Sequence, residues 1–261
     1  MEQIQIDLQD SILEVKDLSV TRSGKRIIED VNLSVKKGEF IGIVGPNGSG
    51  KSTLLLAILG ILNPEKGSVS IYGSQPMSRN LNGKIGWVSQ AASNLPSEIR
   101  ITVEELVKLG TFNSSNMLQR ISTSRQELVD KAIKMVDLEK ERKSDVSKLS
   151  GGQRQRAVIA RALASNADFL ILDEPLVGID RNARNALLKL LDNLCHDSGK
   201  TILMVSHDLT AIRQTSHRMI YLEKNIKFDG QSEDFPSFDE LANLRGITHV
   251  HDECNHIHTK E

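Results

Sequence analysis

Residues 45–53 read Gly-Pro-Asn-Gly-Ser-Gly-Lys-Ser-Thr. The glycines let the backbone curl until successive N–H groups face one point. Such a nest, at the start of a helix, holds an anionic phosphate. The string follows a short apolar run, Phe40–Val44, so it requires a buried strand feeding a tight loop and then a helix. The helix is predicted over Lys51–Leu62, stopping near Asn63-Pro64. A strand that ends in a phosphate loop belongs in an open α/β sheet, with its ligand at the carboxyl ends of the strands. Gly45, Pro46, Asn47, Gly48, Ser49 and Gly50 are the cradle. Lys51 is placed to reach the β- and γ-phosphates of a nucleoside triphosphate, Ser52 to offer a hydroxyl to Mg2+, and Thr53 to add a phosphate contact.

The rest of the chain supplies the sheet. Ile12–Val20 and Val31–Val35 alternate apolar and polar and read as strands of an antiparallel sheet. Ser68–Tyr72 and Ile85–Ser89 are further strand candidates. Phe169–Leu172 and Thr201–Val205 are almost wholly apolar, as strands covered on both faces are. Ala183–Leu194 between them reads as an amphipathic helix, and Thr102–Ala164 is mostly helical apart from a polar stretch at 113–124. A helical insertion of about 91–164 therefore interrupts the α/β core, and the pattern weakens after about Gln231.

Phe169-Leu-Ile-Leu-Asp173-Glu174 is a buried strand ending in two carboxylates, which are costly there unless they serve a cation or a proton. Asp173 is expected to hold the Mg2+ shell, and Glu174, pointing elsewhere, to act as general base on the attacking water. Gln90, after the strand at Ile85–Ser89, has a carboxamide that reaches both metal and water. A lone Gln is weak evidence, and so is a lone His. His207 gains weight because it follows the next apolar strand beyond the Asp-Glu pair.

Residues 149–153 read Leu-Ser-Gly-Gly-Gln. With the phosphate loop, Gln90, FLILDE, Asp180 in GID and SHD at 206–208, all in family-like order, residues 12–230 resemble the ATP-binding subunits of ABC transporters. The resemblance implies a P-loop ATPase core with an antiparallel β subdomain and an inserted helical subdomain. It implies ATP and Mg2+, and a homodimer in which Ser150, Gly151, Gly152 and Gln153 of one copy meet the γ-phosphate held by the other. It makes Asp180 part of the loop joining the two sites. Where that family has an aromatic residue against adenine, this chain has Arg22, whose guanidinium plane can also stack on a base.

The longest apolar run, Leu54–Leu62, is far short of the roughly 20 residues that span a bilayer. An integral membrane permease is therefore expected as partner, with an external metal-binding protein acting on it. The chain is placed peripherally on the cytoplasmic face of the cell membrane. The polar, acidic first ten residues are no signal peptide, and two distant cysteines suit a reducing compartment. A net charge of −1 argues against nucleic acid as the main partner. Cys195 and His196 read as packing and surface.

The segment from Leu95-Pro96 through Ile101-Thr102-Val103 to Gly110 resembles importers of zinc, manganese and iron chelates. The tail holds His249, His251, Cys254, His256 and His258, with four of the seven histidines, and imidazole and thiolate suit Zn2+. The tail spacing is not that of a zinc finger, and a soluble tail with incidental histidines is the plain alternative. The expected activity is thus ATP hydrolysis coupled to import of a transition metal, zinc first. Manganese or chelated iron is the alternative cargo, and a soluble ABC ATPase without a permease is the alternative class.

Overall fold

The structure is a computed structural model that describes residues 11–93, 100–112, 123–237 and 240–241. Its first layer is an antiparallel sheet of β1 (Ser11–Arg22), β2 (Lys25–Lys36) and β4 (Lys66–Ile71), in the order β2-β1-β4. The first two strands are longer than their alternating cores suggested, because Ser23 and Gly24 close them into a two-residue hairpin with φ of 49° and 74°. The second layer is a six-stranded sheet. It runs β5 (Ile85–Val88), β6 (Phe169–Asp173), β7 (Thr201–Val205), β3 (Phe40–Val44), β8 (Arg218–Glu223), β9 (Asn225–Gln231). All neighbours in it are parallel except β8 and β9.

The apolar runs are explained by what lies on each face. In β3, Phe40 and Val44 point into one core and Ile41 and Ile43 into another; β6 and β7 divide their side chains in the same way. One core lies against the antiparallel sheet and α1 (Lys51–Ile58), the other against the remaining helices. A strand buried on both faces has no polar period to show.

Among the described residues, three α-helices stand between β5 and β6: α2 (Val103–Leu109), α3 (Thr123–Met135) and α4 (Gly151–Leu163). Two begin with reciprocal capping boxes. Thr102 Oγ1 accepts from Glu105 N at 3.2 Å while Thr102 N donates to Glu105 Oε2 at 2.7 Å. Ser150 and Gln153 repeat the exchange at 3.2 and 3.0 Å. Glu104 binds Lys108 at 2.9 Å and Arg142 at 3.0 Å, and Arg142 also reaches Asp130 on α3 at 2.7 Å. This network ties the insertion together. Two further helices are α5 (Arg181–His196) and α6 (Leu209–Thr215).

Two helices differ in extent from the sequence reading. The first helix ends at Ile58, not Leu62: Gly60 takes φ 74°, and the N–H groups of Ile61 and Leu62 both turn back to Leu56 O. A left-handed glycine outweighs the apolar residues that follow it. The helix expected from Ala183 starts at Arg181 because the Asp180 carboxylate caps it, accepting from Asn182 N and Ala183 N at 2.9 and 3.0 Å. The β8–β9 hairpin was not foreseen. Cys195 is buried and its thiol donates to Gly38 O at 3.2 Å.

Candidate functional site

The loop at 45–50 leaves the carboxyl end of β3 and enters α1. Gly50 has φ 103°, and a Cβ there would stand 2.5 Å from Ile28 Cδ1, so only glycine serves at that position. Lys51 Nζ donates to Gly45 O and Pro46 O, both at 2.9 Å, which fixes the side chain along the inside of the loop. Burial pushes the Lys51 ammonium below its ordinary range, against the pull of Glu174 and Asp173. Ser49 Oγ is buried and has no partner among the described residues.

Beside the loop runs a cleft of about 780 Å3. Lys51, Ser52, Thr53, Gln90, Glu174 and His207 all line it, as do Asn47, Gly48 and Gly50. The sheet order explains the convergence, since β6 and β7 lie side by side next to β3 and deliver their carboxyl ends to one edge. Gln90 comes from β5, the strand beyond β6 on the same side of β3, and opens a short 3-10 turn, Gln90–Ser93. Arg22 lines the far end of the cleft, at the tip of the β1–β2 hairpin.

Asp173 and Glu174 part company at the strand end. Ser52 Oγ donates to Asp173 Oδ1 at 3.1 Å. Burial raises the Asp173 carboxyl above its usual range, partly offset by the Ser52 hydroxyl and opposed further by Lys51. Glu174 turns away with φ 52°, a left-handed conformation rare outside glycine. Its Oε2 accepts from His207 N at 3.3 Å and lies 2.8 Å from His207 Nδ1.

Ser150, Gly151, Gly152 and Gln153 open α4 away from this cleft, and none of them lines it. The two glycines pack instead on the start of α5 and the loop before it: a Cβ on Gly152 would come within 2.5 Å of Ala183 Cβ, and one on Gly151 within 3.1 Å of Gly178 O. Asp180, capping α5, sits in that same corner. The tail residues His249, His251, Cys254, His256 and His258, and Leu95-Pro96, lie outside the described residues. Among the described residues no group of three or more His, Cys, Asp or Glu is arranged to hold a metal ion. No described helix is long and apolar enough to cross a membrane.

Residues the sequence reading passed over include Ser23, Lys25, Ile27 and Val177, which line the cleft. The Ser23-Gly24 dipeptide, a turn signal, could have pointed to the first two. Arg184 was also missed. From the first turn of α5 it pairs with Asp208 at 2.6 Å, and Asp208 caps α6 by accepting from Ala211 N at 3.0 Å. That bond links the helix after Asp180 to the residue after His207. Nothing in the local sequence of either residue announces the other.

A phosphate loop between a central parallel strand and a helix, with strand-end carboxylates beside it, defines the P-loop class of nucleotide-binding proteins. A family model described as ABC transporter matches residues 28–177, more than half of the chain. The chain belongs to the ABC transporter family, as an ATP-binding ATPase domain. It is 37% identical over 227 residues to the zinc uptake system ATP-binding protein ZurA of Listeria innocua, covering 87% of this chain and 88% of that protein. The manganese transport system ATP-binding protein MntB of the same organism is 37% identical over 221 residues, covering 85% and 90%. Among solved structures, the dimeric, post-hydrolysis ATP-binding cassette MJ0796, bound to ADP and Pi, superposes with a TM-score of 0.70 at 31% identity. The match covers 85% of this chain and all of that one (100%).

Proposed function

We propose that this chain hydrolyses ATP to drive import of a transition metal, zinc first, through a membrane permease fed by an external metal-binding protein. It works as a homodimer at the cytoplasmic face. The observation that carries the reading is the meeting of Lys51, Ser52, Gln90, Glu174 and His207 in one cleft, with Ser150 outside its lining. Such a cleft has the groups to hold a triphosphate and activate water. It lacks a clamp on the outer side of the γ-phosphate. The start of α4 from a second copy, with its N–H groups and Ser150 hydroxyl, supplies one.

Mg2+ fits the residues present. Two hard oxygens, Ser52 Oγ and Asp173 Oδ1, stand 3.1 Å apart, close to the roughly 3 Å edge of an octahedron with metal–oxygen distances of about 2.1 Å. Bound there, the ion would neutralise charge on the β- and γ-phosphates. The loop N–H groups and Lys51 hold those phosphates in line for attack. His207 holds Glu174 by Oε2, which leaves Oε1 to take the proton of the attacking water. Gln90 positions that water, and with it links the chemistry to the helical insertion that follows in the chain. The His207 imidazole, 61% exposed, is free to contact the γ-phosphate.

The cargo rests on chemistry. The relatives include zinc and manganese subunits at equal identity. The tail, with four imidazoles and a thiol, favours zinc, since manganese prefers oxygen ligands. Manganese is the second reading, favoured by the MntB match. We assign zinc binding to His249, His251, Cys254, His256 and His258. Deleting residues 249–261 is expected to abolish zinc inhibition of the ATPase, and inhibition that persists unchanged refutes the assignment. Cell zinc, manganese and iron under metal limitation, compared between wild type and Glu174→Gln, decide the cargo. A selective fall in zinc is expected. A selective fall in manganese reassigns the cargo, and no fall in any metal refutes the importer reading.

A further inference from the structure

The far end of the cleft is built from different chemistry than its phosphate end. Arg22 and Lys25 pair across the Ser23–Gly24 turn, so both side chains leave the tip of one hairpin on the same side. Together with Ser23 and Ile27 they line the cleft that Lys51 and Ser52 line at its other end. Among the described residues lining it there is no Phe, Tyr or Trp. The next cation along, Arg26, is taken up by Glu29 at 3.4 Å and Glu65 at 3.1 Å. Arg22 and Lys25 have no ion-pair partner among the described residues.

A nucleotide whose triphosphate lies on the loop brings its base to this end. Guanidinium has five N–H donors, ammonium three, and neither has an acceptor. The base edge they suit is one of acceptors. Guanine presents N7 and O6 side by side, whereas adenine sets its N6 amino group, a donor, next to N7. The face of either purine can rest on Ile27, which lines the same cleft, leaving Arg22 and Lys25 to the base edge. Stacking therefore does not discriminate, and the edge does.

We infer that Arg22 and Lys25 make this a site for guanine as well as adenine nucleotides, with GTP bound at least as tightly as ATP and hydrolysed by the same residues. The inference rests on the phosphate loop acting as proposed above, and it adds a substrate to that site.

The test is displacement of a fluorescent N-methylanthraniloyl-ATP from the full chain by ATP and by GTP, with Mg2+, in wild type, Arg22→Met, Lys25→Met and Arg22→Tyr. The expected wild-type Kd for GTP equals or falls below that for ATP. Each methionine variant should move the ratio toward ATP, by up to about tenfold for Arg22→Met, and Arg22→Tyr, which puts a stacking ring with a single O–H donor in place of the five-donor guanidinium, should do the same. An ATP preference in wild type, or a ratio unmoved by both methionine variants, overturns the base assignment and leaves the phosphate site standing. Failure of both nucleotides to displace the probe overturns the phosphate site and the base assignment together.

Discussion

Glu174 holds a left-handed backbone, φ 52°, one residue after a strand whose last pairing is Asp173 with Val205. Glu174 N still donates to Val205 O at 2.9 Å, so the turn comes immediately after the ladder ends. The cost of that conformation, on the order of 1–3 kcal/mol, is met by the surrounding sheet. The turn sends two adjacent carboxylates to different partners, Asp173 to Ser52 and Glu174 to His207. Glu174→Gln keeps the shape and removes the base. Hydrolysis should fall by about 10²–10⁴-fold with ATP affinity nearly unchanged, read by phosphate release and by nucleotide displacement. Hydrolysis close to wild type would mean that another group takes the proton. The pairing of buried strand and carboxylates was legible in FLILDE, because only a strand end serving a cation or proton tolerates two charges. The Arg184–Asp208 bond at 2.6 Å was not, because it joins residues that only the packing of α5 on α6 brings together.

At the scale of elements, close approach replaces polar contact. Gly42 in the middle of β3 faces α6, and a Cβ there would lie 2.1 Å from Ile212 Cγ2. Ile212 is fully buried, so it has nowhere to retreat. Gly42→Ala should destabilise the fold by about 1–3 kcal/mol. Ile212→Ala in the same chain should recover part of that loss, so denaturant unfolding of the two single variants and the double variant forms a cycle. Strictly additive losses would show that the two residues do not share the space. The helical insertion depends on charge instead. Arg142 and Lys108 hold the Glu104 carboxyl down to about 2 from its model-peptide value of 4.5. A carboxylate depressed on folding adds stability above the unfolded value and loses it as pH falls through the folded one. Glu104→Gln should therefore cost stability near neutrality, and its gap from wild type should close between about pH 4.5 and pH 2. Thermal unfolding of both proteins across that window checks it, and a gap independent of pH would assign the effect to packing. The capping boxes at Thr102 and Ser150 could be read from residue types alone. The end of α1 at Ile58 could not be read from the apolar pattern, which runs on past Gly60.

At the scale of the molecule, the order of motifs along the chain was enough to place the phosphate loop, the Asp-Glu pair and His207 at one edge of a sheet. Apolar strands with no polar period must lie in the middle, and middle strands deliver their carboxyl ends side by side. The antiparallel layer was legible in part, as alternating cores whose ends the Ser23-Gly24 turn extended. The β8–β9 hairpin was missed because Asn225–Gln231 carries only two large apolar residues, Ile226 and Phe228, and so shows a weak strand pattern; Arg218 bonds Asp229 across the hairpin at 2.6 Å and Glu39, just before β3, at 3.4 Å. The hairpin's share of the cleft lining was legible only as Arg22; Lys25 joined it through the hairpin register.

The central claim is that each ATP is held between the phosphate loop of one copy and the start of α4 of another. Mixing two inactive variants tests it. Lys51→Ala removes the phosphate lysine and Ser150→Arg blocks the α4 start, so each homodimer has two broken sites. A mixed dimer places the intact loop of the Ser150→Arg chain against the intact α4 start of the Lys51→Ala chain. The prediction is ATP hydrolysis in the mixture where neither variant alone hydrolyses. Hydrolysis that stays absent on mixing, with dimers of the two variants shown to form, would contradict a site shared between copies.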